Sequence, residues 1–247
     1  MRSACSCSAA VLVLVLAGCG GHGRTADPFS YDHSRPLAVS DAGVALSGPK
    51  MTVHVLTYTG VGRIRAFLVL PRTRGRHAAV LLLHGSGGTR EDLLLPAAEL
   101  AARGLVAMTI SQPNDARTFR PLVVNARRAL DVLAARPEVD AKRLGVVGFS
   151  LGAQTAAILA GDDSRLKAIG IISGRGGPVP VFWIGKAHAP LFLQAGTKDA
   201  VVPRAQLKAL IAAAPDHPRV RWYAADHGMS RRAFDDQVAW QVQELAR

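Results

Sequence analysis

Leu144-Gly145-Val146-Val147-Gly148-Phe149-Ser150-Leu151-Gly152-Ala153 is the stretch that decides the fold. It opens as an apolar run without polar alternation, as expected of a strand covered on both faces. From Ala153 to Ala160 the residues favour a helix. A strand that passes directly into a helix through Gly-Phe-Ser-Leu-Gly needs a sharp turn with the serine hydroxyl exposed at its tip. Side chains at the two glycine positions would collide across that turn. The alternative is a serine that only caps the helix between turn glycines.

Working outward, Ala78 to Leu83 is a second continuous apolar run, ending at His84-Gly85. The spacing then predicts a helix near Glu91 to Arg103, a strand at Leu105 to Ile110 and a helix near Val123 to Ala135. Beyond the central stretch come strands at Lys167 to Ile172 and Leu191 to Ala195, a helix at Arg204 to Ala214, a strand at Val220 to Ala224 and a closing helix to Leu245. This alternation predicts an α/β fold with a mostly parallel central sheet and helices on both faces. Ahead of it, Met51 to Tyr58 and Arg63 to Leu70, joined by Thr59-Gly60-Val61-Gly62, form an N-terminal antiparallel hairpin. The segment Ser173 to Pro190, broken by Gly174, Gly176, Gly177, Pro178 and Pro180, is too short for a substantial lid, so an open site is expected. Phe182 and Trp183 within it either line the acyl side of that site or pack against the core.

A serine hydroxyl needs a base to take its proton and a carboxylate to orient the base. Between Ser164 and Pro215 the acidic residue is Asp199, just past the apolar strand that ends near Ala195; it could instead cap the helix after Pro203. His188, His217 and His227 follow Ser150 in the chain. His188 precedes Asp199, against the nucleophile, acid, base order of strand-turn-helix serine enzymes, and His217 sits in a polar turn. His227 follows the last strand and is favoured, although Asp226 could pair with it at the surface. An oxyanion needs backbone donors: the N–H of Leu151 is one candidate, and the loop His84-Gly85-Ser86-Gly87-Gly88 offers Ser86, with Gly85 as the alternative. His84 and the Ser86 side chain are read as structural. No spacing of His, Cys or carboxylates suggests a metal site.

The 247-residue chain suffices for one domain. Its formal net charge of +12 is carried mostly by arginine spread along the sequence, and aromatics make up 5%. Without a recognition motif or clustered basic residues beside stacking aromatics, no nucleic-acid partner is expected. Cysteine is confined to the first nineteen residues, so internal disulfides are excluded from the folded part. Arg2 followed by the apolar run Ala9 to Leu16 is too short to span a bilayer but suits an export signal. Leu16-Ala17-Gly18-Cys19 resembles the lipobox of bacterial lipoproteins, which implies cleavage before Cys19 and a lipid on its thiol. A plain cleaved signal is the alternative. The expected organisation is a signal peptide (1–18), a tether (19–49) rich in Gly, Ser, Asp and Pro, and the folded domain (50–247), exported and lipid-anchored to the bacterial cell membrane. The excess positive charge could add attraction to anionic headgroups, at about 1 kcal/mol per basic side chain near the surface.

Taken together, His84-Gly85-Ser86-Gly87-Gly88, Gly148-Phe149-Ser150-Leu151-Gly152, Asp199 and His227 resemble the α/β-hydrolase superfamily, in particular its dienelactone hydrolase branch, over Met51 to Arg247. The resemblance implies the α/β-hydrolase fold and ester cleavage on a small-molecule substrate by acyl transfer to water, without a cofactor. Dienelactone hydrolases proper carry cysteine where this chain has Ser150, so their namesake substrate does not transfer. Ala153 and Gln154 depart from the glycine and aromatic that prolyl-oligopeptidase-like enzymes place after the turn. A thioesterase or acyltransferase with the same three residues, or a binding module that keeps the fold, are the competing functions.

Overall fold

The computed structural model describes residues 27–114, 116–215 and 217–247. Among the described residues nine strands form one sheet: β1 (Ser40–Ser47), β2 (Met51–Gly60), β3 (Gly62–Pro71), β4 (His77–Leu83), β5 (Val106–Ile110), β6 (Val139–Phe149), β7 (Leu166–Ile172), β8 (Leu191–Gly196) and β9 (Arg219–Tyr223). Their spatial order is β1-β2-β3-β5-β4-β6-β7-β8-β9. From β5 to β9 every neighbouring pair is parallel, whereas β1, β2 and β3 join antiparallel. The expected hairpin is present, its ladder running from Met51↔Pro71 to Gly60↔Gly62.

Six α-helices cover the sheet: α1 (Leu94–Ala102), α2 (Phe119–Ala134), α3 (Leu151–Asp162), α4 (Pro178–Ile184), α5 (Arg204–Ala213) and α6 (Arg231–Leu245). The apolar runs of the central strands follow from cover on both faces. In β4, Ala79, Leu81 and Leu83 enter the core beneath α2, α3 and α5, while Ala78, Val80 and Leu82 enter the core beneath α1 and α6. The segment Ser173 to Pro190 contains only the seven-residue α4, which packs against the carboxyl-terminal part of α3: a Cβ on Gly161 would collide with the carbonyl of Trp183. Trp183 takes the packing role, with its ring 5.6 Å from that of Phe29. Phe182 is exposed, with the Lys186 ammonium 4.0 Å above its ring.

The start of the domain differs from expectation. Residues 1–26, which include the expected signal peptide and Cys19, lie outside the described residues, but the folded part begins well before Lys50. Phe29 is 5% exposed and belongs to the core, and Ser40–Ser47 is the edge strand β1. The part of the tether from Asp27 to Pro49 is therefore a strap and a strand. The strap is held by arginines of α2: Arg120 donates to the carbonyls of Pro28 and Ser30, Arg127 pairs with Asp27 at 3.0 Å, and Arg128 donates to the carbonyls of Arg35, Pro36 and Thr59. Tyr31 donates to Asp131 at 2.8 Å. β1 is exposed on both faces over nearly its whole length, so no hydrophobic alternation marks it.

Candidate active site

Ser150 stands between β6 and α3 with φ 52° and ψ −109°. A non-glycine residue in that region is strained, by roughly 1–3 kcal/mol, and persists only where its surroundings enforce it. Here they do: the Ser150 N–H donates to the carbonyl of Ile172 at 2.9 Å, and both motif glycines are sterically obligatory. A Cβ on Gly148 would collide with the backbone of Gly152, and a Cβ on Gly152 with the carbonyl of Leu83. The turn is too tight for any side chain at either position.

Parallel strands bring the other candidates to the same end of the sheet. Asp199 follows β8 and His227 follows β9, both beyond the carboxyl ends of their strands, where open α/β sheets bind ligands. His227 Nε2 lies 2.9 Å from Ser150 Oγ, and its Nδ1 lies 2.8 Å from Asp199 Oδ2. A carboxylate can only accept, so the proton sits on Nδ1 and Nε2 is left to accept from the serine hydroxyl. The other oxygen of Asp199 accepts the N–H groups of Val201 and Val202 at 2.9 and 2.8 Å. Its side chain is 6% exposed. Burial works against the charge on Asp199, but the hydrogen bonds from the Val202 N–H, His227 and the Val201 N–H outweigh it and hold the carboxyl below the usual carboxylate range. Asp226 does not compete for His227: its carboxylate accepts the Gly228 N–H.

The loop after β4 packs on the serine turn, since a Cβ on Gly85 would lie 3.1 Å from Ser150 Cβ. Gly85 to Gly88 form a β-turn closed by the Gly88 N–H on the Gly85 carbonyl at 3.1 Å, with Gly87 at φ 75°, the glycine position of a type II turn. Such a turn leaves the N–H of its second residue, Ser86, pointing outward, and among the described residues it has no acceptor. The Gly87 N–H is taken by Asn114. Leu151 is the first residue of α3, whose first intrahelical bond is Gln154 N–H to the Ser150 carbonyl, so its N–H is also free. His84 is structural: its Nε2 accepts the Gln112 N–H at 2.8 Å and its Nδ1 donates to the Gly85 carbonyl at 2.7 Å.

Several positioning residues escape sequence reasoning. Asn114 clamps the turn from both sides, accepting from Gly87 and donating to the Gly88 carbonyl at 3.1 Å. Ser173, 1% exposed and at φ 51°, donates its hydroxyl to the His227 carbonyl at 3.1 Å and fixes the loop that carries His227. Gly196 lets the loops of Asp199 and His227 meet, because a Cβ there would collide with the carbonyls of Ala225 and Asp226. The glycine before Thr197-Lys198-Asp199 was a legible signal for that approach; Asn114 and Ser173 had none. His188 and His217 instead line a cavity with Arg219 and Trp240, beside the amino-terminal ends of β8 and β9. Among the described residues no three His, Cys, Asp or Glu side chains cluster as metal ligands.

Known proteins share this architecture. An acetyl xylan esterase from Paenibacillus sp. R4 superposes with a TM-score of 0.72 at 18% identity, over 85% of this chain and 89% of that one. A cold-adapted esterase from an Arctic intertidal metagenomic library gives 0.73 at 18% identity, over 83% and 99%. A dienelactone hydrolase from Anabaena variabilis ATCC 29413 gives 0.68 at 20% identity, over 80% and 98%. At these identities the likeness establishes the fold. In sequence, a protein described as "Probable alcohol acetyltransferase" from Cyberlindnera jadinii is 27% identical over 136 residues, 54% of this chain; the match spans 37% of that protein's length. Residues 64–243, most of the folded part, match the description of one family throughout, and the chain belongs to the dienelactone hydrolase family.

Proposed function

We propose that this chain is a serine hydrolase that cleaves carboxylic esters of small molecules through an acyl-enzyme intermediate, with Ser150 as nucleophile, His227 as general base and Asp199 as its orienting acid. The observation that carries the proposal is the continuous chain of hydrogen bonds from Ser150 Oγ to His227 Nε2 at 2.9 Å and from His227 Nδ1 to Asp199 at 2.8 Å. Ser150 attacks the ester carbonyl while its proton passes to Nε2. The tetrahedral oxyanion is met by the N–H groups of Leu151 and Ser86, each worth about 100- to 1,000-fold in rate. Collapse expels the alcohol, which takes the proton from His227. Water, activated by the same imidazole, then attacks the acyl-enzyme and releases the acid. A fluorophosphonate probe is expected to label Ser150, and Ser150→Ala to abolish hydrolysis of p-nitrophenyl acetate with the fold intact. Wild-type turnover by that variant refutes the assignment.

Transfer of the acyl group to an alcohol instead of water is the second reading, favoured by the match to a described alcohol acetyltransferase. An alcohol acceptor added during turnover separates them: a new ester at the expense of free acid marks a transferase. We further propose export and lipid anchoring at Cys19, supported by Leu16-Ala17-Gly18-Cys19 behind an apolar run and by the net charge of +12. Metabolic labelling with an alkynyl fatty acid is expected to mark the wild-type chain and not Cys19→Ser. Equal labelling of both overturns the anchor.

A further inference from the structure

We propose that the crevice between α1 and α6 is a specificity subsite for a short, uncharged apolar arm of the ester bound at Ser150. This deepens the serine-hydrolase function proposed above and rests on it. The mouth of the crevice is a cavity of about 160 Å³ walled by Leu95, Pro96, Phe234 and Val238, the room of roughly five waters at liquid density. Beside it a second, smaller cavity of about 10 Å³ shares Pro96, Phe234 and Val238 as walls and is lined also by Phe149 and Gln237.

Two contacts tie the crevice to the catalytic centre. Phe149 immediately precedes Ser150, and its ring centroid lies 5.3 Å from that of His227 and 6.4 Å from that of Phe234. On the other side, Asp92 at the rim accepts the Thr89 N–H at 2.9 Å and lies so close to Gly88 that a Cβ there would crowd it. Through Asp92 and Phe149 the crevice borders the loop after β4 and the residue next to Ser150.

Two further features suit an occupant. Leu95 is a large apolar side chain left 55% exposed at the mouth. Gln237, 2% exposed and lining the smaller cavity, has neither amide atom paired among the described residues, a condition that buried amides avoid by meeting a polar atom. The width of the mouth is set by Arg231, which bridges Glu99 of α1 at 2.7 Å and Asp235 of α6 at 2.9 Å. With Asp92 these carboxylates give the rim an excess of negative charge, which disfavours an anionic arm.

The test compares p-nitrophenyl acetate, butyrate and hexanoate on the wild type, Leu95→Arg and Phe234→Trp. Leu95 is exposed, so its replacement leaves folding unaffected. In the wild type, kcat/KM is expected to rise by up to about fourfold per added methylene. The hexanoate-to-acetate ratio is expected to fall about tenfold or more in both variants. A wild type without chain-length preference, or variants that keep the wild-type ratio, overturns the subsite. A second readout needs no turnover: 1-hexanol is expected to raise the melting midpoint of Ser150→Ala but not of Ser150→Ala combined with Leu95→Arg, and equal shifts overturn the subsite as well. Failure of the wild type to hydrolyse even the acetate, with the hexanol shift intact, refutes the hydrolase function and leaves the crevice as a binding site.

Discussion

Replacing Asp199 with asparagine isolates what the carboxylate does for the imidazole, because the side chain is anchored at both ends. One oxygen accepts the N–H groups of Val201 and Val202, and the other accepts from Nδ1 of His227. Asparagine has one accepting oxygen. If it stays on the two backbone N–H groups, the amide NH2 turns toward Nδ1 and can only donate. Nδ1 must then give up its proton, Nε2 must carry it, and the imidazole presents a donor to Ser150 in place of the acceptor it needs. The fold keeps both loop bonds, so the loss falls on the chemistry. An inverted tautomer in this arrangement lowers kcat by about 10,000-fold, near 5.4 kcal/mol at 1.36 kcal/mol per decade. The assay is steady-state hydrolysis of p-nitrophenyl acetate at pH 7, with the melting midpoint as the control for folding. A folded Asp199→Asn variant that retains more than about a tenth of wild-type kcat refutes the role given to Asp199. The same substitution reports on acid stability. The carboxyl is held below its ordinary value in the folded state, so its contribution is present above the unfolded value and is lost as pH falls through the lower folded value. The asparagine variant is expected to show a flatter acid limb in urea melts taken below pH 4.

Gly152→Ala drives a Cβ into the Leu83 carbonyl, and a destabilisation above about 4 kcal/mol is expected; Ala153→Gly beside it costs about 1 kcal/mol, and comparable urea midpoints for the two would refute the steric argument. Phe29→Ala removes a core side chain from the strap and is expected to cost about 3–5 kcal/mol; a loss under 1 kcal/mol would return this segment to the status of a loose tether. Arg128→Ala leaves the carbonyls of Arg35, Pro36 and Thr59 without their donor, with an expected loss of about 3 kcal/mol, again read by urea unfolding. Asp162 is pushed up to about 6 by burial, with Arg127 opposing. Its contribution to stability is therefore full below the unfolded value of 3.8 and lost as pH rises through about 6. Relative to Asp162→Asn, the wild type is expected to lose up to about 3 kcal/mol between pH 4 and pH 7, and parallel pH profiles would show that Asp162 is not so perturbed.

What could be read in the sequence depended on whether a residue's partner leaves a mark on its own identity. Strands β4, β6, β7 and β8 were legible because both faces are covered, which requires continuous apolar runs. Ser150 was legible because its turn excludes side chains at Gly148 and Gly152, and Asp199 and His227 because few residues of the required type follow it. The strap from Asp27 left no such mark. Its carbonyls accept from Arg120, Arg127 and Arg128, and a main-chain acceptor can belong to any residue, so the evidence lay in α2, ninety or more positions away. The start of α2 was obscured for a related reason. It begins at Phe119, ahead of Pro121, and proline is tolerated there because the first turn of a helix has no intrahelical use for its N–H groups. Ser173 illustrates the limit at the site itself. It orients the loop that carries His227 through the carbonyl of that residue, a bond that depends only on where β7 and β9 end relative to one another. Sheet order is what brings those ends together, and sheet order is set by the packing of the whole chain. The sequence can therefore nominate the three side chains that hydrogen-bond in line, while the residues that hold them still become visible only once the strands are in place.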